Sequence, residues 1–184
     1  MGMSGASGAR IGVCVLEALA AVPDVETHLV MSRGAEAVLS AEEGLDPARV
    51  RTLADVAYDD GDLAAAIASG SFVTEGMIVA PCSMKSLSAI ANAYDDGLLV
   101  RAADVCRKEG RRVVLVPREM PLSVAHCRNL LRAAEDGYAV VPPMLTFYNG
   151  SETLDAQVDH VVGKVLLQFG IAYERFRPWE GRDG

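Results

Sequence analysis

Aromatic side chains are scarce: Phe, Trp and Tyr make up 5% of the chain, although 51% of it is apolar. Ala, Val and Leu dominate the apolar content, which suits buried parallel strands and alanine-rich helices. It also suits a protomer that buries helix faces against copies of itself. No stretch reaches the ~18 uninterrupted apolar residues of a membrane span. The first apolar run is broken by Glu17 and preceded by Gly5–Gly8, a poor leader for a signal peptide. Ala6 stands where a myristoylation motif needs Ser or Thr. A cytoplasmic protein with no membrane partner is expected. The four cysteines (Cys14, Cys82, Cys106, Cys127) form no CxxC, and the three histidines (His28, His126, His160) have no metal-ligand spacing. Neither disulfides nor a bound metal are expected. Positive charge is also in deficit: the net charge is −8, which argues against nucleic acid as a partner.

What is present is one domain's length, 184 residues, read as a single unit over 1–184. Short apolar runs alternate with amphipathic helices. Helices are predicted over 9–22, 34–40, 63–68, 83–92, 97–109, 123–136 and 155–169. Strands are predicted over 25–31, 77–80, 113–116 and 138–141, with a possible short one at 50–53 in the acidic, irregular stretch 42–62. Helices of this length between strands imply right-handed crossovers and a parallel sheet covered on both faces. The tail 172–184 differs in character, with Tyr173, Phe176, Pro178 and Trp179 set among arginines. It is expected to reach a neighbouring protomer, packing on its own domain being the alternative.

In such a sheet, ligands bind beyond the carboxyl ends of the strands. Five segments there carry chemistry. Gly5-Ala-Ser-Gly-Ala precedes a helix, so its N–H groups and the Ser7 hydroxyl suit a phosphate or a plain tight turn. Its glycine spacing also fits short-chain dehydrogenases, but no tyrosine has a lysine four residues on; no Walker lysine follows either. Ser32 ends the second strand and suits a sugar contact or a helix cap. Pro81-Cys-Ser-Met-Lys-Ser offers Ser83 as cap and ligand, with the N–H groups of Met84 and Lys85 alongside. Cys82 reads as core. Arg101, Arg107, Lys108, Arg111, Arg112 and Arg118 crowd together, either as a solvated face or as an anion clamp, with Arg101 and Lys108 on one helix face and Arg118-Glu119 after a strand. Pro142 to Tyr148 places a hydroxyl beyond the last strand, and Lys164 follows on the final helix.

GASGA, APCSMKSLSAIA, RAADVCRKE, LVPREMPLSVAHCRNL, PPMLTFY and VDHVVGKVL together resemble the flavin prenyltransferases (UbiX-type), in order and spacing, from Gly5 to Trp179. The style of SMKSLSAIA and VDHVVGKVL is similar to small subunits paired with hydroxyaryl-acid decarboxylases. The resemblance implies a three-layer, flavodoxin-like or Rossmann-like α/β fold assembled as a homododecamer with sites between protomers. It implies transfer of a dimethylallyl group from dimethylallyl monophosphate to reduced FMN, giving prenylated FMN for a UbiD-type decarboxylase. Gly5, Ala6, Ser7, Ser32, Ser83, Met84, Lys85, Ser86 and Arg118 would contact FMN. Tyr148 and Lys164 would hold the prenyl phosphate with Arg101, Lys108 and Arg118, some reaching in from a neighbour, and Trp179 would cover the site.

The reaction that the resemblance implies would have flavin N5 displace phosphate from the allylic carbon and a ring then close at C6, and fixed Arg, Lys and Tyr donors would stabilise the departing phosphate. Glu119 is the expected proton shuttle, with Ser7 as relay. Asp59-Asp60 and Asp95-Asp96 lack the third aspartate of a magnesium-binding DDxxD, so a metal-independent reaction is expected. Lys164 stands where some members have arginine. Glu42 and Glu43 lie near an acidic position of the family, and the few residues before GASGA leave almost no first strand. Two rival readings are a phosphopantothenoylcysteine-type flavin decarboxylase and a non-catalytic FMN carrier.

Overall fold

Strands and helices alternate along the chain in a computed structural model that describes residues 1–179 and 181. The order is β1 (Gly2–Met3), α1 (Ala9–Ala20), β2 (His28–Met31), α2 (Arg33–Glu43), α3 (Pro47–Arg51) and β3 (Val56–Asp59). It continues with β4 (Gly76–Cys82), α4 (Met84–Ala91), α5 (Leu98–Lys108), β5 (Arg112–Pro117), α6 (Val124–Glu135), β6 (Ala139–Val140) and α7 (Leu154–Leu167). All pairings are parallel, in the order β3-β2-β1-β4-β5-β6. The chain winds outward in both directions from β1 and β4, so the topological switch lies between those two strands.

The first strand exists, and it is central. Gly2 pairs with Val30 on one side and Val79 on the other, and Met3 is fully buried. Two residues suffice because neighbours on both sides satisfy its backbone. Alternation along β4 and β5 builds the two faces. Met77, Val79, Val113 and Leu115 face α4 and α5, where Leu87, Leu98, Leu99 and Ala103 pack. Ile78, Ala80, Val114 and Val116 face α1 and α7. The β1–β2 half of that second face packs α1 against α2 through Met3, Leu16, Leu29, Met31 and Leu39. Each fully buried leucine there would cost about 2–5 kcal/mol on truncation to alanine.

Three expected elements differ. Residues 50–53 do not form a strand: Asp46 caps a short helix with Pro47 in its first turn, so Val50 packs from α3. The strand of this stretch is Val56–Asp59, on the sheet edge, where only alternate residues are half-buried. Residues 63–68 give a single 3₁₀ turn at Ala66–Ala68 in place of a helix. The β4 strand also runs on through Pro81 to Cys82, with an irregular register between Val79 and Cys82.

The tail folds back on its own chain. Tyr173 donates to Asp159 of α7 at 2.6 Å, and the Phe176 ring lies against Gly163, where an added Cβ would sit 2.3 Å from it. Only glycine leaves room for that ring. The end of the expected tail, residues 180 and 182–184, lies outside the described residues.

Candidate functional site

The carboxyl ends of β1 and β4 are joined by one buried residue. Ser4 Oγ donates to Pro81 O at 3.1 Å and accepts from Ser83 N–H at 2.7 Å, while Ser4 N–H also donates to Pro81 O. The 5–8 loop and the 81–83 turn are thereby held side by side. Gly5 meets the backbone of Gly34 so closely that a Cβ would lie 2.9 Å away, which sets the start of α2 against the same loop.

Three helix N-termini therefore open around the switch point, those of α1, α2 and α4. Ser32 caps α2 by accepting from Ala35 N–H at 3.2 Å. Ser83 caps α4 by accepting from Ser86 N–H at 3.2 Å, and donates to the Ser86 hydroxyl at 3.1 Å. Helix α1 begins at Gly8, in the left-handed region with φ 95° and no side chain to cap with. Its cap comes from elsewhere: Gly8 N–H donates to Glu42 Oε2 at 2.9 Å. The loop read as a phosphate cradle thus already holds an anion of its own chain. Burial pushes the Glu42 carboxyl up, but the Gly8 N–H bond, the Ser7 hydroxyl and Ala9 N–H beside it, and the Arg118 guanidinium nearby hold it below the usual range. Ser7, Glu42 and Arg118 are one group. Of the two acidic candidates Glu42 belongs to it; Glu43 lines a separate cleft with Arg10, Cys14 and Asp155.

Arg118 and Glu119 leave the end of β5, where Arg118 N–H donates to Cys82 O at 3.2 Å. Both are exposed, and Glu119 accepts from Met120 N–H at 3.0 Å. The Lys85 side chain is 80% exposed, 2.8 Å from Asp96, which holds its ammonium pKa up. Cys82 is inert: burial pushes its thiol up to about 12.

A second group follows β6, the neighbour of β5. Tyr148 lies 3.4 Å from His160 Nε2 on α7, with the Trp179 ring edge-on at 5.8 Å. Lys164 is exposed one turn beyond His160 and, after burial, lowers that imidazole's pKa. The Arg10–Asp155 pair, at 3.1 Å, ties the starts of α1 and α7.

The basic set does not converge within the chain. Arg101 donates to Ala68 O at 3.1 Å and to Asp95 at 3.0 Å, with Asp104 at 3.5 Å. Lys108 is the last residue of α5, which leads to the start of β5, so it sits at the opposite end of the sheet from Arg118. Arg107 binds Asp136 O, and Arg111 binds Phe72 O and Gly70 O at 2.8 and 2.7 Å, all structural ties. Heptad spacing put Arg101 and Lys108 on one face, but about 10 Å of helix axis separates them.

Sequence reasoning missed Ser4, His160 and the Glu42 contact. Ser4 carried a signal, as a small polar residue where a central strand ends, and Glu42 is one of the two acids near the family's acidic position.

The Flavoprotein family profile matches residues 1–166. A probable UbiX-like flavin prenyltransferase of Sedimentibacter hydroxybenzoicus is 52% identical over 181 residues, 98% of this chain and 96% of that protein. A dodecameric FMN-dependent UbiX-like decarboxylase from Escherichia coli O157:H7 superposes with a TM-score of 0.96 at 53% identity, covering 98% of this chain and 97% of the other. AnUbiX, solved in complex with FMN and dimethylallyl pyrophosphate, gives 0.94 at 46% identity over 98% and 95%.

Proposed function

The chain belongs to the UbiX-type flavin prenyltransferase family, and we propose that it transfers a dimethylallyl group from dimethylallyl phosphate to reduced FMN. The observation that carries this reading is the Ser7–Glu42–Arg118 group set beside the Ser83–Ser86 turn at the switch point. FMN fits there as substrate. Its phosphate goes to α4, where Ser83, Ser86 and free N–H groups meet no carboxylate, and not to α1, which Glu42 closes. Gly5, Ala6, Ser7, Ser32, Met84, Lys85 and Arg118 line the rest. Ser7 and Glu42 hold a proton beside the flavin ring, and Glu119 serves as the second proton-transfer group.

Tyr148 and Lys164 are the donors to the departing phosphate, with Trp179 over them. Arg101 and Lys108 serve a neighbouring copy's site, since their own chain turns Lys108 away from it. Assembly as a homododecamer supplies that neighbour. The donor is the monophosphate, whose single charged group suits one tyrosine and one lysine. The prenylated FMN passes to a UbiD-type decarboxylase in the cytoplasm.

The test is anaerobic incubation with reduced FMN and, in parallel, dimethylallyl monophosphate or the pyrophosphate, followed by flavin mass. A gain of one prenyl unit with the monophosphate is expected. Bound FMN of unchanged mass with both esters sinks the enzyme reading in favour of a carrier. Carbon dioxide released from a cysteinyl peptide sinks it in favour of a cysteine decarboxylase.

A further inference from the structure

His160 is the one buried histidine of the described residues, at 6% exposure, and both its ring nitrogens are engaged. The network around it fixes its tautomer. Ser151 N–H, which can only donate, bonds Asn149 Oδ1 at 3.2 Å. The Asn149 amide is therefore oriented with its Nδ2 outward, 2.9 Å from His160 Nδ1. An amide NH₂ only donates, so Nδ1 is the acceptor. A neutral imidazole carries one N–H, which must then lie on Nε2, the nitrogen 3.4 Å from the Tyr148 hydroxyl oxygen. Burial and Lys164 both hold the imidazole below its ordinary pKa, so the neutral form is the relevant one.

The direction of this chain has a consequence at its end. Tyr148 Oη accepts from His160, which leaves the tyrosine's own hydrogen free. The tyrosine is 55% exposed, its ring held edge-on between His160 at 5.8 Å and Trp179 at 5.8 Å. Phe176 closes over the imidazole at 5.3 Å, seated on Gly163. With the opposite tautomer the tyrosine would donate inward, to a histidine, and would present only a lone pair outward.

We propose that His160 is a positioning residue: through the relay Ser151–Asn149–His160–Tyr148 it sets the Tyr148 hydroxyl as an outward donor to the phosphate oxygen of the prenyl ester. The inference rests on the reading of Tyr148 as a phosphate donor. His160 itself touches neither substrate nor reacting atoms.

The test has two arms. In the first, ¹⁵N shifts of histidine-labelled protein at neutral pH, with His160→Gln to assign the signal, report the tautomer without any turnover. Nε2–H is expected; Nδ1–H or a doubly protonated ring overturns the relay. In the second, prenyl transfer is measured as kcat and KM for the ester, with FMN retention as the check of fold. His160→Leu is expected to raise KM and lower kcat together, by about tenfold in kcat/KM, the scale of one hydrogen bond to a charged group. His160→Gln, which keeps an N–H near the Nε2 position, is expected to recover most of that loss. Unchanged kinetics in His160→Leu, or no recovery in His160→Gln, overturns the inference. Failure of the wild-type protein to prenylate flavin would instead strike the proposed function, and the tautomer measurement would still decide the direction of the relay.

Discussion

The N-termini of α1 and α4 stand side by side at the switch point and are built for different tasks. Both follow central strands, and both offer N–H groups to an anion. Helix α1 is closed by a carboxylate from α2, whereas α4 is closed by hydroxyls, which leave room for a ligand's charge. A strand–turn–helix with small residues is therefore not a phosphate site by itself. What decides is whether the chain has already filled it.

Four changes would break or sharpen this contrast. The largest effect is expected for Glu42→Gln, which keeps the shape of the α1 cap but removes its carboxylate. Prenyl transfer should fall about a hundredfold, with FMN affinity within threefold of wild type by flavin fluorescence; a wild-type rate would leave Glu42 with a structural role only. Next is Ser83→Asp, which keeps a good helix cap but makes α4 resemble α1. FMN affinity should fall about thirtyfold from like-charge repulsion, with the melting temperature little changed. Unaltered affinity would move the phosphate elsewhere.

Gly163→Ala is expected to act away from both turns, by lifting Phe176 off α7. A loss of about 1–3 kcal/mol in chemical denaturation is anticipated, with greater solvent exposure of Trp179 fluorescence; an unmoved tail would show the ring adapts. The smallest effect concerns pH. The Glu42 pKa is lowered on folding, so its cap contributes fully above the ordinary glutamate range and is lost as pH falls through the folded value. The stability gap between wild type and Glu42→Gln, about 0.5 kcal/mol at neutral pH, should close in acid. A gap that persists there would assign the cap to neutral hydrogen bonding.

Local signals were readable where the chain makes its contacts locally. Ser32 and Ser83 sit between a strand and a helix, and each caps the helix that follows. The helix faces of α1, α4 and α5 follow from their apolar spacing. Glu42 was not readable as a partner of Gly8, because 34 residues separate them and nothing in α2 itself marks the contact. Val56–Asp59 escaped notice because an edge strand buries only half its residues, and α3 because the apolar Val50 and Leu53 suggested a strand and the Asp46-Pro47 helix start went unread. Lys108 shows the limit of periodicity: it gives the side of a helix, not which end of the sheet that side reaches.

Ser4 and Ser7 stand three residues apart and serve different partners: the Ser7 hydroxyl lies beside Glu42, and Ser4 holds the turn after β4. The Ser4 hydroxyl has its proton and a lone pair committed to the two ends of one turn. It works as a rivet, so β1 and β4 cannot drift apart at the rim, and the slot above them keeps a set width whatever enters it. A planar guest meets walls fixed before it arrives.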